Sequence, residues 1–183
     1  MFLTNHFLLA MPDLATDYFG QSLTYICEHD ENGALGLIIN RPTTTSVSDF
    51  VADLGFAADE QLRHHLLLEG GPMAPHQGFV LHTSEGLRSD DYALRVTADI
   101  SLSTSTDCLS ELSRGRFPRH FMVALGYVGW GPGQLEQELE RTLWLTTAAD
   151  PAVLFETPYA DKLQVAGASL GIDIRLMARP GTA

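Results

Sequence analysis

Leu23-Thr24-Tyr25-Ile26-Cys27-Glu28-His29-Asp30-Glu31-Asn32-Gly33-Ala34-Leu35-Gly36-Leu37-Ile38-Ile39 is the stretch whose reading decides the fold. Its first five residues are β-prone, the charged run from Glu28 to Glu31 ends them, and Asn32-Gly33 turns the chain. Ala34 to Ile39 is nearly continuous in apolar residues and reads as a second, buried strand. An Asn-Gly turn between two apolar runs is a hairpin signal, because both central residues tolerate positive φ.

Outward from this hairpin the periodicity changes. Val47, Phe50, Val51 and Leu54 fall at i, i+3, i+4 and i+7 and form one apolar stripe of a helix. Ser46 caps its start, Asp49 adds a carboxylate in the first turn, and Gly55 suits the left-handed position after its end. Leu66-Leu67-Leu68 runs into Gly70-Gly71-Pro72, and Gly78 to His82 reads as another strand. Tyr92 to Val96 and Ile100 to Leu102 alternate, and Thr104 to Asp107 supplies cap residues for a short helix carrying Leu109 and Leu112. Met122 to Leu125 reads as a central strand that enters a glycine-rich loop over residues 126–133. A helix follows with Leu135, Leu139 and Leu143 on one face. Asp150-Pro151 and Thr157-Pro158 both read as an N-cap followed by a proline that opens a helix. The last helix stops at Gly171, and Ile172, Ile174 and Leu176 alternate as a final strand. Hairpins come early and helices are interspersed irregularly, which is not the β-α alternation of a doubly wound sheet. The expected class is α+β with a mixed sheet. Residues 1–183 read as a single compact domain, with 177–183 as a loose tail.

Composition narrows the function classes. The 183 residues are 45% hydrophobic and 19% charged, enough apolar surface for one core. Eleven basic residues face twenty-three acidic ones, for a net charge of −12, and Lys162 is the sole lysine. A field of that sign repels phosphate backbones and anionic lipid headgroups, so nucleic-acid and membrane partners are disfavoured. Cys27 and Cys108 form no C-x-x-C pair and read as small buried hydrophobes. Met1 to Leu14 lacks Lys and Arg and is interrupted by Asn5, His6 and Pro12, so it reads as neither a signal peptide nor a membrane span. The expectation is a soluble cytoplasmic protein.

Few constellations carry chemistry. The loop at 126–133 has four glycines and a proline in eight residues, and strand–glycine turn–helix is a geometry that offers N–H groups to an anion. It lacks both G-K-[ST] and G-x-G-x-x-G, so close packing around Trp130 is the favoured reading. Glu136, Glu138 and Glu140 read as a solvated acidic face. Cys27 and His29 would share one face of a strand, but i, i+2 side chains run parallel and seldom make a nucleophile–base pair. His82 ends an apolar strand. Asn40-Arg41-Pro42 closes another, where a guanidinium can clamp a carboxylate or phosphate. The ligand-binding candidates are Asn40, Arg41, Gly70, Gly71, His82, Gly129, Trp130 and Gln134. Arg114, Arg116 and Arg119, beside Phe117, are the partner-binding candidates. No catalytic residue, metal set or cofactor motif is assigned.

Taken together, these stretches strongly resemble the YqgE/AlgH family of bacterial proteins. The matching pieces are Leu3-Thr4-Asn5-His6-Phe7-Leu8, Ala10-Met11-Pro12, Tyr25 to His29, Gly33 to Pro42, Gly70-Gly71-Pro72, Gly78 to His82, Gly126-Tyr127-x-Gly129-Trp130-x-x-Gly133-Gln134-Leu135-Glu136-x-Glu138 and Asp150-Pro151. They run in order from Leu3 to about Gly171, and the arginine cluster lies outside them. The resemblance implies a compact α+β fold whose mixed sheet is curled, half-barrel-like and flanked by helices. It brings no enzymatic activity. One member carries the label of transcriptional regulator of alginate production, but this sequence has no helix-turn-helix pattern and the wrong charge for direct DNA binding. The resulting expectation is a non-catalytic regulatory or binding domain acting through protein or small-anion contacts, with a protein partner or a homo-oligomer. The alternative is an enzyme whose pocket gathers Arg41, His82 and the glycine loop.

Overall fold

A computed structural model describes residues 1–14, 18–85 and 93–177. The hairpin is present: β2 (Leu23–Asp30) and β3 (Gly33–Ile38) are antiparallel, and Asp30 pairs with Gly33. The two-residue connection is therefore Glu31-Asn32, one position earlier than the Asn-Gly reading. Asn32 N–H bonds to the Asp30 carboxylate at 2.7 Å, and Gly33 opens the next strand at φ 133°. A Cβ on Gly33 would fall 2.1 Å from the Trp130 carbonyl oxygen, so close approach and backbone angle both require glycine there.

Two compact units divide the chain, Met1–Asn40 together with Gly129–Ala183, and Arg41–Val128. In the first unit, β1 (His6–Ala10) pairs with β2 on one side and with the late strand Trp144–Ala148 on the other, all antiparallel. Phe7, Tyr25 and Leu37 lie in one cross-strand row, Leu8, Thr24 and Ile38 in the next, and all six are at most 1% exposed. Burial on both faces removes the in–out alternation that marks a half-exposed strand. A bulge interrupts β2. Its register passes from Ile26↔Gly36 to Glu28↔Leu35, so Cys27 has no partner and the pleat shifts by one residue.

In the second unit, β4 (Pro42–Ser46) leads into α1 (Val47–Asp53). Ser46 Oγ accepts the Asp49 N–H at 3.0 Å, and Gly55 follows the helix at φ 87°, as the cap reading expects. β5 (Leu66–Glu69) pairs antiparallel with β4, β6 (Met73–Thr83) follows, and β7 (Leu94–Arg95) pairs with β8 (Ile100–Ser103). Tyr92, part of the alternation read over 92–96, lies outside the described residues. Ser105 caps α2 (Thr106–Ser113) by accepting the Cys108 N–H. β9 (Phe121–Trp130) pairs antiparallel with β6 and parallel with β5, so the sheet is mixed. Val47, Val51, Leu62, Val80, Leu109, Leu112 and Val123 make the core of this unit.

The C-terminal third contains α3 (Gln134–Glu140), β10 (Trp144–Ala148), α4 (Pro151–Phe155), α5 (Lys162–Ala168) and α6 (Ile174–Met177). Asp150 accepts the Ala152 N–H and Pro151 opens α4, as expected. Thr157-Pro158 opens no helix. The Pro158 carbonyl instead accepts the Asp161 and Lys162 N–H groups in a turn before α5. Residues 174–177 are helical, not a final strand. Gly167 explains this: a Cβ there would fall 2.5 Å from Ile174 Cγ1, so the absent side chain lets α6 pack directly on α5. Of the tail read over 177–183, all but Met177 lies outside the described residues. The class is α+β, and the hydrogen-bonded strand path is open, with β10 and β7 at its ends.

Candidate functional site

The motif residues of the first unit converge on the bulge in β2. His29 is 4% exposed. Its Nδ1 accepts the Leu3 N–H at 3.0 Å, and its Nε2 lies 2.9 Å from Glu136 Oε1. A backbone amide can only donate, so the ring proton sits on Nε2 and is donated to the carboxylate. The His29 N–H donates to Thr4 Oγ1 at 3.0 Å, and Asn5, at φ 60°, accepts the Tyr25 hydroxyl at 2.9 Å. Leu3-Thr4-Asn5 is thus stitched to β2 by three side-chain–mediated bonds. Burial pushes the Tyr25 phenol far above its ordinary range. Glu136, in the first turn of α3, is held below the usual carboxylate range by its own backbone N–H and then by His29.

The bulge also settles the Cys27–His29 pair. Cys27 Sγ donates to the Tyr25 carbonyl, burial raises its thiol well out of the reactive range, and both His29 ring nitrogens are occupied elsewhere. The two do not form a nucleophile–base pair.

Glu138 is the second centre. Its Oε2 accepts both the Trp130 and the Trp144 indole N–H, each at 2.8 Å, and its Oε1 accepts Gln134 Nε2 at 3.0 Å. The two indoles meet edge to face with centroids 6.0 Å apart and are 6% and 3% exposed. Gln134 Oε1 accepts the Gly131 N–H and closes the turn before α3. The solvated-face reading therefore describes Glu140, which is exposed, but not Glu136 or Glu138, which are bonded inward. The 126–133 segment is likewise different from a loop: β9 runs through Gly126, Gly129 and Trp130, and only Gly131-Pro132-Gly133 turns.

Asn40 pins the start of β2, accepting the Leu23 N–H and donating to the Gln21 carbonyl, both at 2.9 Å. The Arg41 carbonyl accepts the Glu69 N–H. Gly70 and Gly71 are buried against β9, where a Cβ would fall 2.4 Å from the Gly126 oxygen and 2.2 Å from the Tyr127 oxygen respectively. Gly126 reciprocates: at φ 73°, its Cβ would meet the Gly71 oxygen at 2.2 Å. These glycines serve a backbone crossing. His82 is 5% exposed; its Nδ1 lies 2.9 Å from the Thr83 carbonyl and must donate, which leaves an Nε2 lone pair without a partner among the described residues. No group of three or more His, Cys, Asp or Glu is placed to hold a metal among the described residues.

At the end of α2, Arg114 and Arg116 reach the same carboxylate: their Nη1 atoms lie 3.5 Å and 2.6 Å from the two oxygens of Glu111. Gly115, at φ 76°, makes the tight reversal that lets both arms turn to one side. Both guanidiniums remain largely exposed, at 64% and 52%, and Arg119, three residues further along the chain, is also exposed. Phe117 stacks parallel on Phe121 at 5.6 Å, and His65 lies over the Phe121 ring at 4.5 Å. Burial, then His64, lowers the His65 imidazole below its ordinary range. The ring stack was not visible in the sequence, since His65 is remote from Phe121 along the chain.

Lys162 was given no role by its sequence context. It is 1% exposed and its Nζ donates to the Val153 and Leu154 carbonyls at the end of α4, at 2.7 Å and 2.6 Å. Tyr159 lies below it, with its ring centroid 5.5 Å away. Burial brings the ammonium down to about 8. Its being the only lysine was the one available signal.

An AlgH-like family model (DUF179) matches residues 7–175. The chain is 45% identical over 172 residues to UPF0301 protein Nmul_A2478 of Nitrosospira multiformis, covering 93% of this chain and 91% of that one. It is 42% identical over 177 residues to a UPF0301 protein of Chromobacterium violaceum, covering 96% and 94%. The solution structure of the AlgH protein from Pseudomonas aeruginosa superposes with a TM-score of 0.82 at 39% identity, covering 100% and 97%. The crystal structure of DIP2367 from Corynebacterium diphtheriae shares the fold at a TM-score of 0.75 and 19% identity, covering 97% and 92%.

Proposed function

The chain belongs to the AlgH-like family, and from its wiring we propose that it is a non-catalytic binding domain that acts through protein contacts in the cytoplasm. The observation that carries this reading is the arginine turn after α2. Arg116 bonds Glu111 at 2.6 Å and Arg114 lies 3.5 Å from its other oxygen, so one carboxylate turns both guanidiniums to the same side before any partner arrives. Arg119 and the Phe117–Phe121 stack lie in the same segment, and arginine with aromatic rings is the composition of interface anchors. Glu111 and Asp59, whose carboxylate lies against Gly115, are two carboxylates for three guanidiniums, which still leaves this turn net positive on a chain of net charge −12 and fits an acidic protein surface or a small anion. By contrast, Asn40, Trp130 and Gln134 are bonded within the fold, and Gly70 and Gly71 are packed on backbone. Direct DNA binding is disfavoured by the same net charge.

Affinity capture from lysate with the parent chain and with Arg116→Glu tests the reading. An acidic protein is expected in the first and absent from the second, with recovery falling as salt rises. Partners recovered equally by both chains would overturn the assignment to this turn. His82 favours a second reading, an enzyme or small-ligand site, because its buried Nε2 is a lone pair without a donor among the described residues. A thermal-shift screen of metabolites addresses it: a ligand that raises the melting temperature of the parent, but not of His82→Phe, would shift the assignment to that site.

A further inference from the structure

Every sheet needs a means of closing its edges, because an unpaired row of N–H and C=O groups templates another strand. The β7 end is blunted: it has two residues, and one is Arg95. Among the described residues, the Thr146–Ala148 part of the β10 end has none of these protections. Trp144-Leu145-Thr146-Thr147-Ala148 contains no charge and no proline, and it pairs with β1 in continuous register from His6↔Ala148 to Ala10↔Trp144 without a bulge.

The ladder shows which groups are free. Ala149 N–H bonds to the Asn5 carbonyl and Met11 N–H to the Leu143 carbonyl, so the odd-numbered residues of β10 direct their backbone groups at β1. Trp144, Thr146 and Ala148 therefore turn their N–H and C=O groups away from β1, and among the described residues these meet no backbone partner; Trp144 is 3% exposed, so the open part of the edge runs from Thr146 to Ala148. We propose that the outer edge of β10 is a strand-addition site for an extended segment of a partner protein that carries basic side chains.

Charge selects the occupant. Residues 132–161 hold Glu136, Glu138, Glu140, Asp150, Glu156 and Asp161 against Arg141 alone, and the nearby Lys162 is buried. Glu140 and Asp150 are exposed at either end of β10. A second copy would bring the same acids against them, whereas a strand with lysine or arginine at its ends is attracted to both. Main-chain bonds supply the affinity and the flanking acids the preference, as in other strand-addition complexes. This inference is independent of the arginine turn, which lies in the other unit.

A library of random heptapeptides displayed on phage and selected at low salt against the native protein tests it. The selected peptides are expected to alternate β-branched or aromatic residues and to carry net positive charge. The best of them, made synthetically, is then N-methylated at every second amide in two complementary series, which removes donors from one edge of the peptide at a time. One series should weaken binding about tenfold or more, the loss of one or two backbone hydrogen bonds, while the other leaves it unchanged. Thr146→Pro and Ala148→Pro should weaken it similarly, since each removes an outward N–H and leaves the β1 ladder whole. Arg116→Glu should not. An empty selection, acidic consensus peptides, or two N-methylated series that bind alike would each overturn the proposal.

Discussion

Glu138 serves three donors with two oxygens, and two of those donors are indole N–H groups with almost no access to water. Glu138→Ala leaves both indoles unpaired, and a buried donor without an acceptor costs about 1–3 kcal/mol. The expected loss is therefore about 2–6 kcal/mol in a urea melt, with a change in the near-ultraviolet signal of Trp130 and Trp144. This centre was not legible in the sequence. Glutamates spaced by two on a helix do point in different directions, and Glu140 behaves as a solvated residue should. What could not be read is that Trp144 returns on an edge strand, and that His29 reaches Glu136 from 107 residues away. Local periodicity says which way a side chain leaves its helix, but not what meets it.

Elements were legible where one face is buried and caps are strong. α1 begins at its serine, α2 at Ser105 and α4 at Asp150-Pro151, each with the expected side-chain bond. β2 and β3, buried on both faces, were legible because a turn separates their two apolar runs; β1 and the threonine-built β4 and β10 have no such signal. β1, β4 and β10 lack the alternation that marks a strand, and the glycines of β9 imitate a loop, so its sequence signal ends near Leu125. In fact Gly126 lies inside the strand because it passes against Gly70-Gly71 with no room for a Cβ. Gly71→Ala should therefore lower stability by about 3 kcal/mol or more, because the obstacle is backbone and cannot turn aside. Gly55→Ala, where the new methyl meets nothing and only the positive φ is unfavourable, should lose roughly 1–2 kcal/mol. Chemical denaturation of the two variants side by side separates crowding from backbone angle.

At the scale of the whole molecule, charge is distributed unevenly, with a basic turn after α2 and an acidic stretch around β10. No helix among the described residues is long and apolar enough to cross a membrane. The pH response of stability follows from Lys162. Its folded value of about 8 lies below the ordinary 10.5, so between those limits the unfolded chain holds more protons than the native one. Stability contributed by this group accordingly rises as pH climbs through that window. Measured as the difference between the parent and Lys162→Met, the gain should be on the order of 1–3 kcal/mol from pH 8 to pH 10.5, with the remote Tyr25 cancelling between the two chains. A difference that stays flat or falls would show that the two helix-end carbonyls, rather than burial, set the proton affinity.

Sealing the sole lysine beneath α4 also gives the protein a built-in reporter. No ε-amine is available to acylating reagents while the fold is intact, and a lysine-specific protease has no site to cut. Covalent labelling of Lys162 therefore proceeds only at the rate at which α4 and α5 separate, and it counts those opening events without any engineered probe.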